Sequence, residues 1–331
     1  MEMDKFMKYD DLEIALLNEL KPSNFIKYKD ENGNEVLPHS ETFEVLKGGS
    51  NGRVAKWTFH GKPYFVKWIG KENNQNRENE KKEKLGKEAQ VINQLNNSSN
   101  LNGQLIELDD EITALVLDYF EHGSLAQFLK EQDNLKYLME DETNLRIIFQ
   151  DILEQINCLH QNNIVHCDIK CENILIKKDE NGKYRGVLID FGETVDTETN
   201  INCIGSPMYM SPEVIKGKGR SLCDIWSFGA VICAIGWAIS TQQEQQQPCD
   251  VFPNPWHQSE LKINKEIDPM AIMFQIALGR TPKIPELFSH ELQQLIPKCF
   301  LKPEERPTAE QLLQDLNKMD EESKSNFFLC E

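Results

Sequence analysis

The feature that most constrains the fold lies between residues 43 and 68. Three short runs, FEVL, VAKWTF and YFVKW, are rich in β-branched and aromatic residues. The turn signals GSNG and HGKP separate them. Strands this short, joined this tightly, predict an antiparallel meander. Lys67 sits inside the third run, where an unpaired charge would be costly to bury. It therefore calls for an anion: a phosphate, a carboxylate or both. Residues 71–87 are charged and Asn-rich and lead into KEAQVINQL, which has helical spacing and offers Glu88 as the nearest partner. ITALVLDYF is a further β-rich run. After about residue 125 the pattern turns mostly helical, most clearly in NLRIIFQDILEQINCLH. The expected class is therefore α+β, with a small strand-rich lobe ahead of a larger helical one.

Composition narrows the function. With 331 residues, 39% of them hydrophobic, the chain is long enough for a two-lobed domain with a substantial core. A net charge of -18 argues against a non-specific partner among nucleic acids or anionic membranes. No stretch approaches about 18 uncharged apolar residues, so no membrane span is expected. The acidic start MEMDKFMKYDDLEIALL lacks a secretory pattern, which makes the cytoplasm the default location. Nine dispersed cysteines without CxxC pairs read as reduced thiols, with no structural metal. Leu12, Leu16 and Leu20 form one stripe of a short amphipathic helix, and TQQEQQQ at 241–247 reads as a surface insertion.

The stretch IVHCDIKCENILI at 164–176 carries the chemistry. An Asp on a loop, Asp168, can accept a proton from an attacking hydroxyl. Lys170 can neutralise a phosphoryl group in transfer. Asn173 offers a neutral hard oxygen of the kind magnesium prefers. Downstream, VLIDFGE delivers a second carboxylate, Asp190, at the end of an apolar run. Upstream, the turn from Gly49 to Gly52 presents backbone N–H groups suited to covering phosphates.

The order of these parts resembles the eukaryotic protein kinases, of the serine/threonine type, over roughly residues 41–316. GGSNGRV resembles the Gly-rich loop, YFVK the third-strand lysine motif and HCDIKCEN the catalytic loop. DFG at 190–192 matches letter for letter. GSPMYMSPE, DIWSFG and ERPTAEQLL complete the set in order. MAIMFQIALGRTPKIPE and IPKCFLKPEERPTAEQLL also resemble kinases that activate mitogen-activated protein kinase kinases.

The resemblance implies a bilobal fold: an N-terminal extension over 1–40, an antiparallel-sheet lobe over 41–117, a hinge over 118–121, a helical lobe over 122–316 with a Gln-rich insertion at about 241–258, and a tail over 317–331. It implies ATP and Mg2+ as cofactors and a protein serine or threonine as substrate. Asp168 would be the catalytic base, Lys170 would stabilise the transferring group, and Asn173 and Asp190 would hold magnesium. Lys67 would hold the α- and β-phosphates and pair with Glu88. Leu46, Gly49, Gly52, Val54 and Leu175 would line the nucleotide site, with Leu117 behind the adenine and Asp118 to Phe120 binding it through backbone. His166 and Phe191 would stack in the core with Ile92, and Gly192 belongs to the matched Asp-Phe-Gly. Ser206 would bond Asp168 and Lys170, Asp224 would anchor the catalytic loop, and Arg306 would pair with Glu213. Lys67, Asp168, Asn173 and Asp190 would converge on one triphosphate–metal cluster.

Four departures stand out. Cys167 replaces the Arg that, in the family, receives a phosphorylated activation-loop residue, so activity is expected to depend weakly on phosphorylation of Thr194, Thr197 or Thr199. Lys47 replaces the first loop glycine, Phe65 the small alanine above the adenine ring, and Ser211 the Ala before Pro-Glu. They give weight to an alternative: a catalytically weak pseudokinase acting as a scaffold or allosteric partner.

Overall fold

The computed structural model describes residues 28–29, 35–36, 42–49, 52–59, 62–69, 74–99, 101, 103–108, 112–219, 221–245, 255–256, 262–263 and 266–328. The Leu12–Leu16–Leu20 stripe, the loop residues Ser50 and Asn51, and most of the Gln-rich segment lie outside them. The chain divides into two compact units, Met1–Asn96 with Asn100–Tyr119 and Asn97–Ser99 with Phe120–Glu331.

The first unit holds a two-residue ladder, β1 (Tyr28–Lys29) with β2 (Glu35–Val36), and an antiparallel sheet. The sheet comprises β3 (Thr42–Gly49), β4 (Gly52–Phe59), β5 (Lys62–Ile69), β6 (Gly103–Leu108) and β7 (Ile112–Asp118), in the order β3-β4-β5-β7-β6. The expected meander is its first three strands. Residues opposite one another in antiparallel strands share a face. Val54, Lys67 and Leu115 therefore form one lateral row, and Lys56, Phe65, Leu117 and Gly103 the next.

Helix α1 (Gln75–Ser99) begins well before the apolar spacing predicts. The Asn74 side chain accepts from the N–H groups of Asn76 and Arg77, capping the helix start. The charged residues 75–87 are mostly the solvated face of its first turns, with Lys82 paired to Glu78 at 2.9 Å. Leu85, Ala89, Val91, Ile92 and Leu95 supply the buried side.

In the second unit α2 (Leu125–Phe128) and α3 (Gln132–Glu140) precede α4 (Glu142–Gln161). Asp141 caps α4 through the N–H of Thr143, and Ile148, Phe149, Ile152, Leu153, Ile156 and Leu159 bury its apolar face. β8 (Ile164–Val165) pairs with β11 (Val195–Asp196), and β9 (Ile174–Lys178) with β10 (Tyr184–Leu188). The sequence reading saw only apolar runs around that second hairpin. Its signal was the turn DENGK, where Gly182 takes φ 76° and the Asp179 side chain accepts from Asn181 and Lys183. Gln155 of α4 clamps the hairpin by donating to the carbonyl of Gly186 and accepting from Leu188 N–H, both at 2.9 Å.

The remaining elements are α5 (Pro212–Ile215), α6 (Cys223–Gln245), a short β12 (Lys262–Ile263) and β13 (Glu266–Ile267) pair, α7 (Pro269–Ala277), α8 (His290–Leu295) and α9 (Ala309–Phe328). Helix α9 runs on through the expected tail region as far as Phe328. Two expectations need correction here. Residues 241–245 continue α6 instead of opening an insertion, and Thr241 is buried. Finally, Cys223–Thr241 is long and apolar enough to cross a membrane, contrary to the reading that no stretch is. Of that stretch 89% is buried inside the protein, as the core helix of a folded domain also would be.

Candidate active site

The catalytic-loop segment is held by one buried carboxylate. Asp224, fully buried at the start of α6, accepts the backbone N–H of His166 at 2.8 Å and of Cys167 at 3.0 Å. His160, at the end of α4, also meets it, with Nε2 3.0 Å away. The sequence reading missed His160, because only the folded chain brings residue 160 to 224. These bonds hold Cys167 at φ 67°, a left-handed conformation unfavourable for an L-residue with a side chain. The turn sends the side chains of residues 167 and 168 into different surroundings.

Asp168 enters a polar web. Its Oδ1 accepts from the Ser206 hydroxyl at 2.8 Å. Its Oδ2 accepts from Lys170 Nζ at 2.7 Å and from Asn173 Nδ2 at 3.0 Å. Lys170 also donates to Ser206 Oγ at 2.8 Å, closing a three-membered ring of side chains. Gly205 makes this approach possible. It takes φ 98°, and a Cβ there would lie 2.2 Å from the carbonyl oxygen of Cys167. Charged hydrogen bonds of this kind are short and directional, which fixes the carboxylate's orientation.

The segment bearing Asp190 is tied to the same loop. Ile189 N–H donates to the carbonyl of Asn173 at 3.0 Å. His166 Nε2 lies 3.1 Å from the carbonyl of Ile189, while Asp168 N–H donates to His166 Nδ1. His166 is thus fully buried and used on both ring nitrogens as a structural piece, with its ring 5.2 Å from that of Phe191. Asp190 itself adopts φ 64°, and Phe191 and Gly192 after it are buried.

Magnesium fits what these residues present. Asn173 commits its amide nitrogen to Asp168, leaving its side-chain carbonyl oxygen as the remaining polar atom, and Asp190 adds a carboxylate. Among the described residues no group of three or more His, Cys, Asp or Glu assembles into an all-protein metal cage. A neutral oxygen and a carboxylate, completed by phosphate and water, is the donor set magnesium favours.

Cys167 turns the other way, into an apolar cluster with Val165, Ile201, Met210, Val214 and Cys223. Ile201 and Met210 come from the segment between the Asp-Phe-Gly and Pro-Glu motifs, and Val214 follows the latter, so contact with that segment is apolar at this point. The Cys167 thiol donates to the carbonyl of Val165 at 3.6 Å, and its closeness to Cys223, together with burial, raises the Cys223 pKa. Thr194, expected as a phosphorylation candidate, is 1% exposed and donates its hydroxyl to the carbonyl of Phe191. Phosphorylating it would require opening the segment. Thr199 remains exposed.

Glu213 pairs with Arg306 through two contacts, 2.5 Å and 3.3 Å. Arg306 is buried, donates also to the carbonyls of Leu222 and Leu301, and lies over the Trp226 ring. Ser211 is fully buried, and its hydroxyl finds no hydrogen-bond partner among the described residues.

In the first unit Lys67 Nζ meets Glu88 Oε2 at 2.7 Å, with the two side chains 12% and 3% exposed. The anion expected for the strand lysine is therefore present. Gly49 and Gly52 face each other across the β3–β4 turn, after a register shift beyond the Leu46–Val54 pair. Asp118 ends β7 and is bridged by Lys62 at 2.9 Å, which raises the lysine's pKa. In the second unit, Phe120 is buried and Leu175 forms a bridge with Ser124.

The sequence profile of the protein kinase domain matches residues 41–316. Mitogen-activated protein kinase kinase kinase 1 of Arabidopsis thaliana is 27% identical over 289 residues, covering 85% of this chain and 42% of that protein. Mitogen-activated protein kinase kinase kinase A of Dictyostelium discoideum is 33% identical over 237 residues, covering 69% and 22%. Serine/threonine-protein kinase pakG of Dictyostelium discoideum is 32% identical over 241 residues, covering 62% and 18%. The chain spans less than half the length of these relatives. Its α+β architecture, a small antiparallel-sheet lobe and a larger helical lobe, is that of the matched domain. The chain belongs to the protein kinase domain family, beside relatives named as serine/threonine-protein kinases and mitogen-activated protein kinase kinase kinases.

Proposed function

We propose that this protein transfers the γ-phosphoryl group of magnesium-bound ATP to serine or threonine hydroxyls of a protein substrate. The observation that carries the reading is the web around Asp168, in which Ser206, Lys170 and Asn173 all aim donors at one carboxylate. A carboxylate so oriented accepts the proton of an incoming hydroxyl as its oxygen bonds to the γ-phosphorus and the bond to the bridging oxygen of ADP breaks. Lys170 neutralises charge on the transferring group. Lys67, oriented by Glu88, holds the α- and β-phosphates, and Gly49 and Gly52 let backbone N–H groups approach them. Leu46, Val54 and Leu117, all in the first unit, would line the base, whose edge would bond the backbone at Asp118 and Tyr119. Magnesium, held by Asn173 and Asp190, would neutralise phosphate oxygens and keep the phosphates in line. The names of the relatives make another protein kinase the first substrate class to try after a generic basic protein.

The apolar seat of Cys167 supports a second part of the reading: activity depends only weakly on phosphate in the activation segment. No cation stands at residue 167 to receive one.

The test is magnesium-dependent transfer from radiolabelled ATP to a basic protein, beside an Asp168→Ala control. Transfer that disappears in the control and on chelation of magnesium is expected. Equal signal from both proteins would remove the enzyme reading in favour of a scaffold.

A further inference from the structure

Gly103 opens β6, and its place in the sheet is unusually crowded. A Cβ built there would lie 2.8 Å from Leu117 Cδ2 and 3.0 Å from Ile92 Cγ2. Neither distance leaves room for a methyl group. Leu117 therefore leans over the missing side chain, and Ile92 of α1 closes the notch from above. The same lateral row continues from Leu117 to Phe65 and Lys56. Cross-strand neighbours in such a row stand about 5 Å apart at Cβ, too close for large side chains to ignore one another. Leu117 is 5% exposed and hemmed in by Ile92, so a side chain at 103 can displace it mainly toward Phe65.

We infer that Gly103 is a specificity-determining residue for the nucleotide: by giving Leu117 a notch to lean into, it frees the width that the Phe65 ring takes from the base site. Phe65, which stands where the family resemblance places a small alanine above the adenine, is offset by an absent side chain two strands away. The row keeps its summed volume while moving its bulk sideways, which packed interiors tolerate better than net addition. The inference rests on the proposed function in one respect, that the base binds on this face of the sheet.

A double-mutant cycle tests it. Gly103→Ala, Phe65→Ala and the double variant are compared with the wild-type chain for ATP KM, kcat and thermal unfolding with and without magnesium-ATP. Gly103→Ala is expected to raise the ATP KM about tenfold while kcat stays within about twofold. Phe65→Ala in the Gly103→Ala background is expected to return KM to the wild-type value or below, because Leu117 regains space. Gly103→Ala together with Leu117→Val, which trims the displaced side chain, should recover the unfolding temperature as well. Should Gly103→Ala lower the unfolding temperature without moving KM, or should Phe65→Ala give no relief, the inference fails and the glycine serves packing alone. Wild-type protein without transferase activity, but with an ATP-dependent unfolding shift that follows the cycle, would sink the catalytic reading and leave this one standing.

Discussion

Residues 167 and 168 are adjacent in the chain and belong to opposite kinds of environment. Asp168 sits in a web of directional polar contacts with Ser206, Lys170 and Asn173. Cys167 packs against Val165, Ile201, Met210, Val214 and Cys223, where volume and burial matter most. Asp224 holds the backbone between them through the N–H groups of 166 and 167. The difference teaches which parts of such a site can be exchanged. The proton acceptance proposed for Asp168 needs an oxygen at a fixed angle, so under that proposal the residue types around it are narrowly set. Fastening the activation segment needs only free energy, and an apolar cluster supplies it as well as a pair of charges.

Breaking the polar side should have the largest effect. Asp168→Ala is expected to lower kcat by about 10²- to 10⁴-fold with the fold intact, read by single-turnover transfer and circular dichroism. An unchanged kcat would mean the web is structural. Next comes the polar anchor of the Pro-Glu motif. Arg306→Ala strands the Glu213 carboxylate and should cost about 3–5 kcal/mol of stability in denaturant unfolding.

The apolar side is tested by forcing a charge into it. Cys167→Arg introduces a buried cation in an apolar setting and should cost roughly 2 kcal/mol. A neutral or stabilising result would show that the cluster already holds room and counter-charge for a guanidinium. Phosphatase treatment of the wild-type protein should change activity by less than about twofold, since no arginine waits at 167 for a phosphate. A large loss would place the phosphate-binding cation elsewhere. The smallest effect expected has the opposite sign. Ser211→Ala removes a buried hydroxyl without a partner among the described residues and should raise stability by about 1 kcal/mol in thermal unfolding.

Much of this was legible in the chain itself. The meander followed from run length and turn residues. The Lys67–Glu88 pair followed from the cost of a buried charge, and the Ser206 bonds from the motif order. What stayed illegible was set by long-range register. The β9–β10 hairpin hid inside apolar runs whose period is ambiguous, and the start of α1 hid among charges that are its solvated face. His160 gave no signal because its partner, Asp224, is distant in sequence. The burial of Thr194 depends on a bond to the carbonyl of Phe191 that no residue pattern announces.

The sequence by itself determined the chemistry: which side chains carry charge, which can accept a proton, and in what order they come. These are local properties of residue type and spacing, so they survive without coordinates. Only the tertiary structure decided how the departures are absorbed. Cys167 became part of an apolar cluster because a left-handed backbone turned it there, and Gly103 became the counterweight to Phe65 because strand pairing put both beside Leu117. Volume is shared between neighbours in space, and neighbours in space are what a linear string leaves unspecified.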